Sequence, residues 1–357
     1  MKRRGFLTHS LRLATGSLSL AFAGAAGWSV ASPAQGPRVV DLELFDADRQ
    51  RPVPARLYIP QQASAESPVP LIVFSHGLGG SRMGYRYLGS HWSEQGMASL
   101  HPQHVGSDSA LWRGNPLDLV QRLQAAASEL EALARVLDLR FALDQVLASD
   151  LGPQIDASSI AVAGHSYGAN TAMLISGARV TAAGTAATDL QDPRIRSAIL
   201  ISAPPLSDQG PVEQVLGAVS LPTLHITSVE DTITLPGYRS TVEDRIRIFQ
   251  AMSGSPRTLA VFNKGGHSIF TDRTTRSGPE TSARIKGATR ELCTIFLRQS
   301  LLKRARQPLA AGVVVRPTSD SRPTALEATR EGDPDIKQWL LRHEDLVDRF
   351  VMPDPQG

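Results

Sequence analysis

A strand, a sharp turn and a helix are predicted within one short stretch that reads IAVAGHSYGANTAML and runs from residue 160 to 174. The apolar run 160–163 favours a buried strand, and the residues after Gly168 continue with a pattern typical of a helix. Between them, GHSYG matches the G-x-S-x-G pattern, in which a serine is held on a strained turn at the end of a strand. Side chains in place of Gly164 and Gly168 would collide with the neighbouring strand and helix. The pattern predicts Ser166 as a nucleophile, with a structural turn serine as the alternative.

Short unbroken apolar runs recur on both sides of this turn, at residues 71–74, 97–100, 198–201, 223–226 and 258–261. Continuous hydrophobicity predicts strands that are covered on both faces, as in a parallel sheet. Helical patterns lie between the runs, the clearest of them over residues 117–147. The alternation predicts one α/β domain over residues 35–302, with a mostly parallel central sheet and helices on both faces. Residues 38–60 alternate in character around a turn, which predicts an antiparallel hairpin at the sheet edge.

The carboxyl-terminal residues 303–357 divide into an irregular part and a helical part. Residues 303–330 are polar and contain three prolines without a clean period, which predicts a loop or an insertion. Residues 335–350 return to a helical stripe through Ile336, Trp339, Leu340 and Leu346. Because so short a segment cannot form its own core, we expect it to be one helix docked on the domain.

The first 34 residues have the layout of an export signal. Positive charge at residues 1–4 is followed by a weakly apolar stretch over 13–30, and small residues allow cleavage at Ala31 or Ala34. Arg3 and Arg4, followed after Gly5 by an apolar pair, resemble the twin-arginine motif and imply the twin-arginine translocase as the partner during export. An uncleaved membrane anchor is the alternative. The sequence predicts a periplasmic or secreted protein with no stable membrane span after processing.

Charge and cysteine content exclude several classes of protein. The chain has 37 Lys and Arg against 34 Asp and Glu. Lys2, Arg3, Arg4 and Arg12 all precede residue 32, so the balance without that segment is 33 against 34. A nearly neutral charge balance of this kind gives no support to nucleic-acid binding. The single cysteine, Cys293, excludes an intramolecular disulfide and a cysteine-cluster metal site.

A nucleophilic serine needs a general base, and in this architecture the base follows the last core strand. His267 lies in NKGGHS, directly after the apolar run 258–261, and Gly265 and Gly266 allow the loop to bend sharply. Of the other histidines, His225 lies inside a predicted strand and His343 in the predicted terminal helix. We therefore expect His267 to be the base, with an ordinary loop histidine as the alternative.

The third member of such a triad is a carboxylate that orients the imidazole, and the chain order should be Ser, acid, His. Asp231 follows the apolar run 223–226 and precedes His267 by 36 residues, which leaves room for one helix and one strand. It is the preferred acid. Glu230 is the near rival, and Asp208, after the preceding strand, is the distant one.

Two backbone amides should stabilise the oxyanion that forms on the substrate. One belongs to the residue after the nucleophile, Tyr167. We expect the second to be that of Leu78, because the SHGLGG loop of residues 75–80 follows an early strand and its glycines allow close approach of the main chain. A phosphate-binding loop is the competing interpretation, but neither glycine pattern typical of such loops is present. Trp112 is a candidate wall of the substrate pocket, and plain packing is its alternative role.

A metal site is a weaker hypothesis. His101 and His104 are three residues apart and Asp108 is near in sequence, as metal ligands can be. The intervening Pro102 disrupts helical presentation, and hydrolysis through a serine needs neither a metal nor a cofactor. A loop at the rim of the site is the preferred interpretation of this segment.

Four segments resemble the α/β-hydrolase superfamily, and within it the group of platelet-activating-factor acetylhydrolases and dienelactone hydrolases. They are FSHGLGG at 74–80, VLDLRFALDQ at 136–145, GHSYG at 164–168 and DPRIR at 192–196. The resemblance covers roughly residues 38–300 and implies the α/β-hydrolase fold and hydrolysis of carboxylic esters with short or modified acyl chains. Animal acetylhydrolases carry their acid after the next strand, where this chain reads Ile201-Ser202-Ala203. The acid is thus expected one strand later, as in dienelactone hydrolases.

Together these features predict an exported serine esterase that acts through Ser166, His267 and Asp231. Its substrate would be a small-molecule, lipid or polymer ester, and no nucleic acid is implied. An acyltransferase with the same triad and a catalytically silent binding protein of the same fold are the alternatives.

Overall fold

Nine strands join in one sheet whose middle is parallel. The computed structural model describes residues 36–180, 190–206, 210–235, 237–252, 256–273, 275–302 and 336–351. The strands are β1 (Arg38–Leu42), β2 (Phe45–Asp46), β3 (Arg51–Pro52), β4 (Ala55–Ile59), β5 (Val69–Ser75), β6 (Ala98–Pro102), β7 (Ile155–His165), β8 (Ile195–Ile201), β9 (Thr223–Glu230), β10 (Ile233–Leu235), β11 (Tyr238–Ser240), β12 (Arg257–Gly266) and β13 (Val347–Val351).

The strand order of the sheet is β1-β4-β6-β5-β7-β8-β9-β12-β13. Neighbours from β6 to β12 run parallel. At the edges, β4 runs antiparallel to β6, β1 to β4 and β13 to β12. Each predicted apolar run falls within one of the parallel strands, except that the run 97–100 starts one residue before β6, and β1 with β4 forms the predicted edge hairpin. The predicted mostly parallel sheet is confirmed.

Helices cover both faces of this sheet. They are α1 (Arg86–Glu94), α2 (Leu119–Ala126), α3 (Glu129–Ala148), α4 (Tyr167–Ile175), α5 (Val212–Leu216), α6 (Val242–Ala251), α7 (Pro279–Leu297) and α8 (Ile336–Arg342). One buried apolar cluster joins the sheet to α3 and α4, through Leu139 and Met173 for example. A second cluster on the opposite face joins it to α1, α7 and α8, through Trp92, Leu292 and Trp339. Among the described helices, none has both the length and the apolar character to cross a membrane.

Two predicted helices differ in the structure. The pattern over residues 117–147 is divided into α2 and α3, because the Ser128 side chain accepts a hydrogen bond from the Glu131 amide (3.3 Å) and begins a new helix. The stripe over 335–350 is helical only from Ile336 to Arg342, so the docked terminal helix is present but its predicted length was wrong. After a short turn, residues 347–351 form β13 and occupy the free edge of β12, whose amide and carbonyl groups would otherwise lack partners. The predicted export signal and the predicted loop over 303–330 lie outside the described residues.

Candidate active site

Ser166 lies on the sharp turn between β7 and α4. Its φ of 56° is in the left-handed region, which a residue with a side chain adopts only under strain. The close approach of neighbouring backbone explains both glycines of the pattern: a Cβ on Gly164 would lie 2.1 Å from the Gly168 carbonyl oxygen, and one on Gly168 would lie 1.9 Å from that of Ser75. The turn therefore holds the Ser166 hydroxyl at the carboxyl end of the central strand.

The side chains of Ser166, His267 and Asp231 form a continuous hydrogen-bonded row. Ser166 Oγ lies 2.8 Å from Nε2 of His267, and Nδ1 of His267 lies 2.8 Å from Oδ1 of Asp231. The sheet explains their meeting, because Asp231 follows β9, His267 follows β12, and these two strands are parallel neighbours. The carboxylate can only accept, so Nδ1 carries the proton and Nε2 is free to accept from the serine hydroxyl.

Asp231 is fully buried and remains a carboxylate. Burial by itself would raise the pKa of Asp231, but the hydrogen bond and charge of His267, together with Arg245 and Thr227, hold it well below its ordinary value. Thr227 Oγ1 donates to its second oxygen at 2.7 Å and Arg245 Nε at 3.3 Å. A charge fixed in this way can orient the imidazole and stabilise its protonated form.

The rival carboxylates have other positions. Glu230 is exposed, and its Oε2 accepts from the Gly265 amide (3.0 Å) in the loop before His267. Its contact is with the loop and not with the ring, so among the described carboxylates Asp231 alone is hydrogen-bonded to the imidazole of His267. Asp208 lies outside the described residues.

Leu78 and Tyr167 line the same cavity as Ser166. The amides next to Leu78 are occupied: that of Gly77 donates to the Tyr85 hydroxyl (3.3 Å), and that of Gly79 to the Ser107 carbonyl (2.8 Å). Neither the Leu78 nor the Tyr167 amide has a hydrogen-bond partner within the described part of the chain. Both can therefore donate to a substrate oxygen.

Arg135 contacts the His76 carbonyl, two residues before Leu78, and the ring of Tyr167, and sequence reasoning missed it. Its guanidinium is fully buried and donates to the Ser107 hydroxyl (2.7 Å), the Ser75 hydroxyl (3.0 Å) and the His76 carbonyl. It also lies 4.5 Å from the centroid of the Tyr167 ring. Burial lowers the pKa of Arg135 to about 10, so the group stays cationic at neutral pH. This cation ties the loop that carries Leu78 to the start of α4.

His165, the residue before the nucleophile, was also missed. Its ring lies against that of His267, with 4.8 Å between centroids and a tilt of 33°, and its Nε2 donates to the His267 carbonyl (3.1 Å). Burial is the main cause that lowers the pKa of His165 to about 3, so its imidazole is neutral. Its place at the variable position of the G-x-S-x-G pattern was the signal that could have drawn attention to it.

Trp112 stands at the mouth of the cavity. Its indole Nε1 donates to the Gly79 carbonyl (2.9 Å), and its side chain is about half exposed. A Cβ on Gly79 would lie 2.1 Å from this nitrogen, so the glycine allows the ring to rest on the loop. The cavity has a volume of about 670 Å³ and is bordered by Ser166 and His267 on one side.

The three residues of the metal hypothesis have separate partners. His101 bonds to the Ser99 hydroxyl (2.7 Å), His104 bonds to Asp138 (3.1 Å) and Ser75, and Asp108 accepts from the Ala110 amide (2.9 Å). Burial lowers the pKa of both histidines, so each acts as a neutral hydrogen-bonding group. Within the described ranges, the structure contains no group of three His, Cys, Asp or Glu side chains arranged to hold a metal ion.

Comparison with known proteins identifies the fold. No family model matches the chain, and no curated protein matches it in sequence. Among solved structures, it is similar to a ferulic acid esterase from Streptomyces cinnamoneus, with 22% sequence identity and a TM-score of 0.55. The match covers 81% of this chain and 96% of that one. At this identity the likeness shows the fold alone, and the chain has the α/β-hydrolase fold.

Proposed function

We propose that this protein is a serine hydrolase that cleaves carboxylic esters through an acyl-serine intermediate. The observation that carries the proposal is the row of Ser166, His267 and Asp231, joined by two contacts of 2.8 Å at the carboxyl ends of parallel strands. These are the side-chain types, the chain order and the connectivity that acyl transfer by serine requires. The name of the structurally similar ferulic acid esterase, which describes an ester-cleaving protein, agrees with this reaction class.

In the first step, Ser166 Oγ would attack the ester carbonyl carbon while His267 Nε2 takes the hydroxyl proton. The carbonyl oxygen becomes an oxyanion, which the Leu78 and Tyr167 amides would stabilise. The charge of Asp231 favours the imidazolium that forms, without itself taking the proton. Collapse of the tetrahedral intermediate breaks the ester bond, and His267 gives its proton to the leaving alcohol.

In the second step, water replaces the alcohol and loses a proton to His267 as it attacks the acyl carbon. Collapse releases the carboxylic acid and returns the proton to Ser166 Oγ. An alcohol or amine in place of water would make the protein an acyltransferase, so product analysis with a competing alcohol separates the two reactions.

Covalent labelling with a fluorophosphonate tests the proposal. We expect one label per chain at Ser166 and ester turnover that Ser166→Ala lowers by about 10⁴-fold or more. Ser202→Ala is the matched control, because Ser202 also has a positive φ at the end of a buried parallel strand and is fully buried. Normal turnover in folded Ser166→Ala would exclude the covalent mechanism, and the absence of both labelling and turnover would leave a binding protein.

Export is a separate proposal that rests on residues 1–34 alone. We expect cleavage at Ala31 or Ala34 and a periplasmic or secreted mature protein. Replacing Arg3 and Arg4 together by Lys should retain the precursor in the cytoplasm, since the twin-arginine translocase requires the arginine pair. Unchanged export of this double variant would indicate the general secretory route.

A further inference from the structure

The cavity beside Ser166 is lined mainly by aliphatic side chains from several elements. Leu123 comes from α2, Leu133 from α3 and Leu174 from α4, while Leu206 and Leu235 come from the loop after β8 and from β10. Its volume of about 670 Å³ is in the range of sites that enclose ligands of many heavy atoms. A two-carbon acetyl group would occupy only a small part of it.

The lining residues that the structure describes include no lysine or arginine. Glu129, at the exposed start of α3, is the one Asp, Glu, Lys or Arg among the described lining residues. A carboxylate or phosphate inside such a cavity would lose its water without gaining a cationic partner among the described lining residues, so a bound group of this charge is disfavoured.

The mouth of the cavity is apolar as well. The lining side chains of Trp112, Val120 and Leu130 are 47%, 47% and 80% exposed, respectively. Large hydrophobic side chains grouped at a rim favour the entry of an apolar group and disfavour a strongly hydrated one. The rim and the interior of the cavity therefore both favour an uncharged, apolar group.

From the size, the lining and the rim, we infer that the natural substrate is an ester whose acyl or alcohol part is large, uncharged and apolar, comparable to a medium-length alkyl chain or a substituted aromatic ring. The inference rests on the proposed function and gives its substrate class. It departs from the short or modified acyl chains that the resemblance to acetylhydrolases implies. Ester chemistry would take place at Ser166, while the large group fills the cavity between α2, α3 and α4.

Two series of esters test this substrate class. In the first, p-nitrophenyl esters run from acetate to dodecanoate; in the second, acetates of alcohols run from ethanol to dodecanol, all below their aggregation limits. We expect kcat/KM to rise in at least one series, by up to about fourfold per buried methylene and by more than tenfold in total. The p-nitrophenyl monoester of glutarate, which ends in a carboxylate, should react at least about tenfold more slowly than the pentanoate.

A variant that fills the cavity makes the test specific. Ala132 lines the cavity on α3, so Ala132→Phe should move the optimum to shorter chains and lower kcat/KM for octanoate relative to acetate by about tenfold. Ala125→Phe is the matched control, because Ala125 is an exposed helical alanine on α2 outside the lining. Its chain-length profile should equal that of the unaltered protein.

The outcomes distinguish a failure of the proposed substrate class from a failure of the proposed function. If Ser166 is labelled and esters are cleaved, but the shortest ester is the best substrate in both series or the glutarate monoester equals the pentanoate, the substrate class is wrong and the hydrolase remains. If no ester is cleaved and Ser166 is not labelled, the proposed function itself fails. An unchanged profile in folded Ala132→Phe would also contradict binding in this cavity.

Discussion

The hydroxyl of Tyr85 lies 2.8 Å from Nδ1 of His165, and this contact joins two loops of the candidate site. The Gly77 amide donates to the same hydroxyl, and His165 Nε2 donates to the His267 carbonyl. Because a carbonyl can only accept, Nε2 carries the proton of His165 and Nδ1 accepts from Tyr85. One directed chain of hydrogen bonds thus runs from the loop of Leu78 to the loop of His267.

Removal of the Tyr85 hydroxyl should therefore loosen both loops. Tyr85→Phe leaves the Gly77 amide and His165 Nδ1 without their partner in a buried setting. We expect kcat to fall by about tenfold with KM nearly unchanged, because the transition state depends on the positions of His267 and the amides more than substrate binding does. Steady-state kinetics on a preferred ester measures both constants.

Tyr87→Phe is the matched control for this prediction. Tyr87 lies two residues later, in the first turn of α1, and its hydroxyl donates to the Phe270 carbonyl (3.1 Å), which is not a member of the chain that ends at His267. Its kcat should stay within about twofold of the unaltered protein. Equal kcat values for Tyr85→Phe and the unaltered protein would show that the two loops are held independently.

Buried neutral histidines should make the fold sensitive to acid. Burial is the main cause that lowers the pKa of His101, His165 and His225 to about 3 and that of His104 to about 4, and it holds the pKa of His76 well below its ordinary value. In the unfolded chain these groups would take protons near pH 6.5. Below that pH the unfolded state binds more protons than the folded state, so stability falls as the pH falls.

Each such histidine lowers the free energy of unfolding by up to about 1.4 kcal/mol per pH unit between pH 6.5 and about 4. Urea unfolding at pH 7, 6 and 5 measures the loss. His225→Gln, at a position remote from Ser166 in β9, keeps a polar side chain that does not titrate. Its free energy of unfolding should therefore fall less steeply with pH, by up to about 1.4 kcal/mol per pH unit, which is the contribution of one proton. A free energy of unfolding that is constant from pH 7 to 5 would contradict the neutral state of these histidines.

The sequence predicted the parts of the fold that depend on local patterns. The continuous apolar runs became β5 to β9 and β12, since strands buried on both faces need no particular partner to be recognised. The strand β13 was missed because its formation depends on the free edge of β12, some ninety residues earlier in the chain. The break before α3 depends on one capping serine, Ser128, within a stripe that otherwise continues.

In the candidate site, too, the residues with a local sequence pattern were predicted, and those that depend on long-range contacts were missed. Ser166, Asp231 and His267 were assigned from their positions after predicted strands, and the structure brings their side chains within hydrogen-bonding distance; their catalytic roles stay predictions. Arg135 and Tyr85 carry no local signal, because their importance comes from contacts with residues 28 to 80 positions away in sequence. Buried polar networks of this kind are visible only once the packing is known.

The two glycines of the Ser166 turn should tolerate no side chain. Gly168→Ala would place its Cβ 1.9 Å from the Ser75 carbonyl oxygen, and this is backbone of a central strand that cannot move aside. We expect a loss of at least about 3 kcal/mol in the free energy of unfolding, or failure to fold. Gly287→Ala is the control: Gly287 lies within α7 with open space at its Cβ position, and the alanine should stabilise by up to about 1 kcal/mol. Thermal unfolding of both variants checks the contrast, and equal stability of the two would contradict the close approach at Gly168.

The acid that orients His267 can be identified with two neighbouring substitutions. Asp231→Asn keeps the size of the side chain but can offer its amide nitrogen to Nδ1, which favours the wrong imidazole tautomer; we expect kcat to fall by roughly 10⁴-fold, as in the closest comparable triad change. Glu230→Gln should reduce kcat by less than about tenfold, because its side-chain oxygen can still accept from the Gly265 amide and it does not contact the imidazole. Measuring both variants with one activated ester, at one pH and after confirming their folding by circular dichroism, decides between the two carboxylates. A severe loss in Glu230→Gln with a mild one in Asp231→Asn would reverse the assignment and leave Ser166 and His267 as the reacting pair.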